Sequence, residues 1–331
     1  MTVDTMAPAA RWGAERSADL ACLAARYAVR FPWYGHLLAR RGVLGSDRLD
    51  ELPVLGPDLL DAHYYTAPHP QFPCAGVYFS SGTSTGRPKR VLYSAADDDA
   101  CAGRHRALFE EFLGGLPVGS VAVTDLGACH VAASARRIFL EMGFDARGID
   151  VERPLGEHTG LLNACRPDVL FTLPQILDRL LRSPDPLRIA PRKVIVIGGL
   201  APAGWRRRVA ERFGIGFADV LDLFGSVEIG AIAYYDAATG CYRFHDHILP
   251  EVVPPGPDPD ASLPGGGSGA LLLTSFARDC FPALRYATGD LISGLRRVEH
   301  GGRVGYVFDR IGGRAARPRP ARLNGTGARA W

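Results

Sequence analysis

Between residues 15 and 30 the chain reads ERSADLACLAARYAVR, which puts Leu20, Leu23, Ala24 and Tyr27 on one helical face, with Pro32 beyond the end. From Ser94 the apolar positions switch between helical and β periods. Ser94 followed by Asp97, Asp98 and Asp99 predicts a helix N-terminus, with acidic side chains complementing the dipole, and that helix runs to about Phe112. The pattern then predicts strands at 120–124, 146–149, 169–172, 193–197 and 220–223. Between them it predicts helices at 131–142, 159–165, 175–181 and 203–213. Strands alternating with helices in this way specify an α/β fold, mostly parallel sheet flanked by helices.

After Glu228 the character changes. Short β-like runs at 231–235, 242–244, 270–275 and 303–308 flank a Pro/Gly-rich excursion at 254–269. The expected organisation is an α/β core over 1–230, a smaller antiparallel β-subdomain over 231–312, and a basic Pro/Gly-rich tail over 313–331 that lacks periodicity. No internal repeat is present.

Composition narrows the classes. The 331 residues are 47% hydrophobic and 22% charged with a net charge of +3, ordinary for a globular protein and no case for a nucleic-acid partner. Seven widely spaced cysteines form no C-x-x-C pair, so they read as free thiols of a cytoplasmic protein rather than a zinc site or disulfide framework. No apolar run approaches the roughly 18 residues of a membrane span. The opening residues lack the apolar segment of a secretory signal.

Candidate chemistry concentrates in YFSSGTSTGRPKR, residues 78–90. Gly82 and Gly86 let backbone approach an anion; Ser80, Ser81, Thr83, Ser84 and Thr85 add hydroxyl donors; Lys89 supplies a point charge. Alone, such a loop is equally a solvated hairpin tip. The Walker pattern fails, because three residues rather than four separate the glycines and Arg-Pro follows. Gly82-Thr83-Ser84-Thr85-Gly86 also fits the G-x-S-x-G nucleophile elbow, which requires a helix directly afterwards. Here Arg87-Pro88 and then Val91-Leu92-Tyr93 follow, a turn into a second strand, so a serine hydrolase using Ser84 is the weaker reading.

Four further segments make a constellation: VIVIGGLAP at 194–202, DLFGSVEIG at 222–230, ALRYATGDL at 283–291 and FDRIGGRAA at 308–316. In this order and spacing, with the loop, they resemble the adenylate-forming superfamily of acyl–CoA ligases and adenylation domains. The nearest branch is the phenylacetate–CoA ligases and acyl-protein synthetases, over residues 20 to 314. The resemblance implies that the loop from Ser81 to Lys89 covers the phosphates of ATP and that Gly198 and Gly199 flank the base. It makes Asp222 the adenine acceptor, with Phe224 where the family has a Tyr packed on adenine and Gly225 beside it. It gives Glu228 to Mg²⁺, Asp290 to the ribose hydroxyls, and Arg314, with Arg310 as second candidate, to the hinge. Lys89, Thr83 and Glu228 become the catalytic candidates and Phe171 a candidate for lining the acid pocket, while His130, on the helix after the 120–124 strand, reads equally as an acid-pocket residue or a core histidine. The implied reaction is attack of a small carboxylic acid on the α-phosphorus of ATP, giving acyl-AMP and pyrophosphate, followed by transfer to a thiol or amine.

The sequence departs from the family pattern in four places. The phosphate loop is one residue longer; Val227 replaces the usual Thr; Ala316 and Arg317 stand where hinge acids are usual; and the last lysine is Lys193, so no lid lysine is present. The expectation is a core whose acceptor step uses a carrier protein or a separate lid protein. A catalytically weak nucleotide-binding scaffold is the rival. Two weaker signals remain. His245-Asp246-His247 reads as metal ligands or a strand edge, and Cys241 and Cys280 read as acyl acceptors or buried thiols, the bland alternative being preferred in each case.

Overall fold

The computed structural model describes residues 13–66, 74–80, 88–126, 130–150, 153–254, 267–300 and 303–315. The predicted stripe forms helix α1 (Gly13–Arg30), which buries Leu20, Leu23, Ala24 and Tyr27. Pro32 does more than end it. Proline is tolerated in a first helical turn, and here it opens α2 (Pro32–Arg40), which buries Tyr34 and Leu38. A short helix, α3 (Pro57–Leu60), runs into one π-turn over Asp61–Tyr65. Strands β1 (Gly76–Phe79) and β2 (Arg90–Tyr93) pair antiparallel as a separate ribbon, with Phe79 opposite Arg90.

The central part alternates as the pattern predicts. Helix α4 (Ala95–Leu113) leads to β3 (Val121–Asp125), α5 (His130–Glu141), β4 (Asp145–Ile149), α6 (Leu155–Cys165) and β5 (Val169–Thr172). Then follow α7 (Pro174–Leu181), β6 (Lys193–Ile197), α8 (Ala203–Phe213) and β7 (Val220–Ser226). Strands β4, β3, β5, β6 and β7 lie side by side and parallel. Period-two alternation sends neighbouring side chains to opposite faces. Val169 and Phe171 join Phe109 and Phe139 beneath α4 and α5, whereas Leu170 joins Leu162, Leu177 and Trp205 beneath α6, α7 and α8. Phe171, an acid-pocket candidate from the sequence, is fully buried in that aromatic packing, with its ring 5.9 Å from Phe109.

The sheet does not stop at β7. Through β8 (Gly230–Asp236), β9 (Cys241–Phe244) and β13 (Arg303–Phe308) it continues antiparallel into β12 (Tyr286–His300), β11 (Gly267–Ser275) and β10 (Ile248–Val253). Strand β14 (Arg310–Arg314) also pairs with β12, making twelve strands among the described residues. The change from parallel to antiparallel falls at the turn between Ser226 and Gly230.

One carboxylate joins these parts. Ser94 and Asp97 form the reciprocal cap of α4, Ser94 Oγ accepting from the Asp97 amide at 3.1 Å and Asp97 Oδ2 from the Ser94 amide at 2.9 Å. The same carboxylate accepts the amides of Asp279 at 2.6 Å and Cys280 at 3.0 Å and pairs with Arg278 at 2.8 Å. Arg278 in turn donates to the carbonyls of Glu228 at 2.8 Å and Leu92 at 3.0 Å, and its guanidinium lies 3.9 Å from the Tyr93 ring centre. The two side chains are 0% and 2% exposed. Removing one partner of such a buried pair strands the other charge, which costs about 3–5 kcal/mol. Arg278→Met should therefore lower unfolding free energy by about that amount, measured by denaturant titration. Arg153→Met, which breaks an exposed pair with Glu157, should cost about 0–1 kcal/mol. Equal losses in the two variants would contradict the keystone role.

Asp222 on β7 is also buried, and accepts a short hydrogen bond from the Tyr242 hydroxyl. Burial pushes its pKa from 3.8 up to about 7, against the opposing effects of Tyr242 and Arg206. The folded state thus keeps a proton that the unfolded chain has released, so this residue makes the protein less stable as pH rises from 3.8 to about 7. Asp222→Asn keeps an acceptor for Tyr242 and should flatten the decline in melting temperature over that window; an unchanged decline would refute the assignment.

Candidate functional site

The turn after β7 delivers Glu228 into a cluster built from four parts of the chain. The backbone of that turn is tied down on both sides. Tyr93 donates its hydroxyl to the Val227 carbonyl at 2.7 Å, and Arg278 holds the Glu228 carbonyl. Gly225 permits the tight return into β8, since a Cβ there would lie 2.9 Å from the Gly230 carbonyl oxygen. The buried Glu228 side chain faces Tyr65, whose hydroxyl is 3.5 Å from Oε1. Tyr65 ends the π-turn, and Lys89 lies over its ring at 4.4 Å while reaching Asp61 at 3.9 Å. Lys89 is fixed at its backbone by Ser80, whose Oγ accepts from the Lys89 amide at 3.0 Å.

Asp290 approaches from β12. Its cross-strand partner is Arg314 on β14, and their side chains pair at 3.1 Å while Arg314 also donates to the Thr288 carbonyl at 2.9 Å. Two motifs far apart in sequence therefore become facing residues of one ladder. Gly289 takes a φ of +79°, which turns the strand just before Asp290 and suits glycine. Burial, then the neighbouring Glu228 charge, raises the Asp290 pKa to about 6 against the pull of Arg314. Tyr286, also in β12, has its pKa raised by burial and by Glu228, and it interacts with Tyr65. Arg285 before it holds a φ of +48° while fully buried, bonding the Leu52 carbonyl at 2.7 Å and Glu251 at 3.2 Å. Non-glycine residues take that conformation only where the surroundings enforce it, here next to a site residue.

Of the sequence candidates, Lys89, Glu228, Asp290 and Arg314 are thus brought together around Tyr65 and Tyr286. Others lie apart. Asp222 is inside the sheet, bonded to Tyr242, and Phe224 packs edge-on to Phe308 with centres 6.2 Å apart. Gly198 and Gly199 are exposed at the end of β6. Arg310 is exposed and donates to Ser293 Oγ at 3.1 Å, three residues along β12 from Asp290. Ser81, Gly82, Thr83, Ser84, Thr85 and Gly86 fall outside the described residues. His130 bonds Asp98 at 2.8 Å beside Tyr78 and Tyr93. His245 and His247 join no group of three or more metal-ligating side chains among the described residues. Cys241 and Cys280 are buried, and burial pushes the Cys280 thiol up to about 11, away from the thiolate an acyl acceptor needs.

Sequence reasoning missed Tyr65, Asp97 and Arg278 as parts of this assembly. Tyr286 stood in the ALRYATGDL motif without a role. Tyr65 has no signal beyond the aromatic pair Tyr64-Tyr65.

No protein-family profile matches the chain. Over 287 residues it is 42% identical to a fumarate–(S)-2,3-diaminopropanoate ligase of Enterobacter agglomerans, covering 86% of this chain and 71% of that relative. It is 27% identical over 284 residues to a phenylacetate–coenzyme A ligase of Thermus thermophilus, of which it spans 61%. The fold superimposes on 2-hydroxyisobutyryl-CoA ligase with a TM-score of 0.71 at 19% identity, over 90% of this chain and 74% of that structure. Among the described residues no helix is long and apolar enough to cross a membrane. The likeness to the diaminopropanoate ligase, with the fold and the ordered motifs, makes this chain a member of the adenylate-forming ligases, which use ATP to activate a small carboxylic acid as an acyl-adenylate.

Proposed function

We propose that this chain activates a short dicarboxylic acid of the fumarate type and passes the acyl group to an amine, forming an amide. The convergence of Lys89, Glu228, Asp290 and Arg314 on one pair of tyrosines carries the reading. The 42% identity to a ligase of fumarate and a diamine supplies the substrate class. In this reading Asp290 accepts the ribose hydroxyls, and Arg314 keeps its carboxylate in place. Lys89 and the loop from Ser81 to Gly86 neutralise and hold the phosphates, so that the acid meets the α-phosphorus in line.

Glu228 fits Mg²⁺. It is a buried hard oxygen donor whose charge reaches a second carboxylate, Asp290, where it adds to burial in raising the pKa against the larger pull of Arg314. The ion, held by Glu228 and phosphate oxygens, would offset the charge on the nucleotide. The chain's own contribution is to fix the main chain that carries that carboxylate, Arg278 holding the Glu228 carbonyl and Tyr93 the Val227 carbonyl. The likeness to phenylacetate–CoA ligases favours a second acceptor class, a thiol of coenzyme A or of a carrier protein.

The test is ATP–pyrophosphate exchange with fumarate, succinate and phenylacetate, followed by product analysis with 2,3-diaminopropanoate, coenzyme A or a carrier-protein thiol. Exchange should be strongest with fumarate and the product an amide. Lys89→Ala and Glu228→Gln should each slow exchange by about 10²-fold or more. AMP binding should tighten as pH rises through about 6, where Asp290 ionises, and lose that dependence in Asp290→Asn. Nucleotide binding without exchange for any acid would favour a scaffold, and thioester as the main product would favour the thiol reading.

A further inference from the structure

A second polar assembly lies on the other side of Tyr93, and the nucleotide contacts proposed above do not use it. His130, the first residue of α5, bonds through Nε2 to Asp98 in the first turn of α4. The side chains keep 12% and 26% exposure, so the pair is sheltered but not sealed. Two tyrosine rings hold the imidazole, Tyr78 at 4.2 Å and Tyr93 at 4.8 Å between centres, and the Tyr78 hydroxyl is 3.4 Å from both Asp98 oxygens. These rings locate the pair. Tyr93 donates to the Val227 carbonyl next to Glu228, and Tyr78 lies two residues before Ser80, whose hydroxyl holds Lys89. Helix α4 also closes on the same turn, since a Cβ on Gly230 would lie 3.2 Å from Cys101 Sγ.

We infer that His130, oriented by Asp98, is the general base that takes the proton from the amine acceptor in the amide-forming step. This rests on the amide reading above. Attack by an amine leaves a cationic nitrogen that must lose a proton before the amide is complete, and an amine still held as ammonium must lose one before it can attack, so a ligase that uses an amine needs a proton acceptor beside the acyl carbon. Aspartate fixes Nε2 as the donor and leaves Nδ1 to accept, the arrangement expected of an oriented base. Burial lowers the His130 pKa, opposed by Asp98 and assisted by Arg278 and Arg137, while the Tyr78 and Tyr93 rings against it, and His105 nearby, are neutral near pH 7. The ring therefore enters the reaction uncharged. The amine nitrogen's lone pair forms the C–N bond, and the C–O bond to the phosphate breaks with its electron pair leaving on AMP. The nitrogen proton passes to His130 Nδ1 and then to water.

An alternative duty for His130, reading the distal carboxylate of the acid, needs the charged form and predicts a different kinetic signature. The experiment uses the full chain with ATP, fumarate and either 2,3-diaminopropanoate or hydroxylamine, comparing wild type, His130→Gln and Asp98→Asn. Glutamine keeps the hydrogen bond and the packing but has no basic nitrogen. General bases contribute about 10²–10⁴-fold. The ratio of amide formation to pyrophosphate exchange should therefore fall by about 10²-fold or more in His130→Gln, and by less in Asp98→Asn. Hydroxamate formation should follow exchange, because hydroxylamine needs no such base. Three results would overturn the inference: amide formation and exchange falling in parallel, a ratio within threefold of wild type, or a rise in KM for fumarate with kcat for the amide unchanged. Absence of exchange in wild type would instead overturn the reading on which it rests.

Discussion

The buried pair of Asp97 and Arg278 is the constraint on which the site depends. Asp97 caps α4 and holds the amides of Asp279 and Cys280, so it fixes a helix and a turn that are remote in sequence. Arg278 converts that into position at the site, because two of its nitrogens bind the carbonyls of Glu228 and Leu92. A buried ion pair contributes little net stability, since desolvation offsets attraction, but it tolerates only one arrangement. Here that arrangement holds the main chain at Glu228, the carboxylate proposed above to face the nucleotide phosphates. It also explains how Val227, which lacks the hydroxyl usual in the family, leaves the turn intact: Tyr93 and Arg278 hold the backbone, and the side chain at 227 is not needed for that.

Much of the parallel half was legible. Strands at 169–172 and 193–197 lie between amphipathic helices, and their continuous apolar runs reflect burial on both faces. The Ser94 cap was legible because its chemistry is local. Three strands were not. Strand β12 carries Gly289 and Gly294 at positive φ, register shifts and a charged end, all of which disrupt a period-two pattern. Strand β10 contains Pro250, and β14 reads as Arg-Ile-Gly-Gly-Arg, with too few apolar positions to alternate. The continuity of the sheet past β7 was also hidden, because pairing between β9 and β13 joins residues some sixty apart and no local signal encodes it.

The site shows the same division. Lys89, Glu228, Asp290 and Arg314 were nameable from motifs, but what makes them one site is long-range geometry. The β12–β14 register sets Asp290 against Arg314, and Tyr65 lies between Lys89 and Glu228. Asp222 was nameable as well, yet its carboxyl is committed to Tyr242 inside the sheet, a partner twenty residues away that no motif announces.

A crystal structure with a non-hydrolysable ATP analogue and Mg²⁺ would test this arrangement. Ribose hydroxyls should lie on Asp290 and phosphates between Lys89 and Glu228, with the pair of Asp97 and Arg278 unmoved beneath them. A nucleotide bound elsewhere, or Glu228 turned away from the phosphates while that pair stays intact, would contradict it.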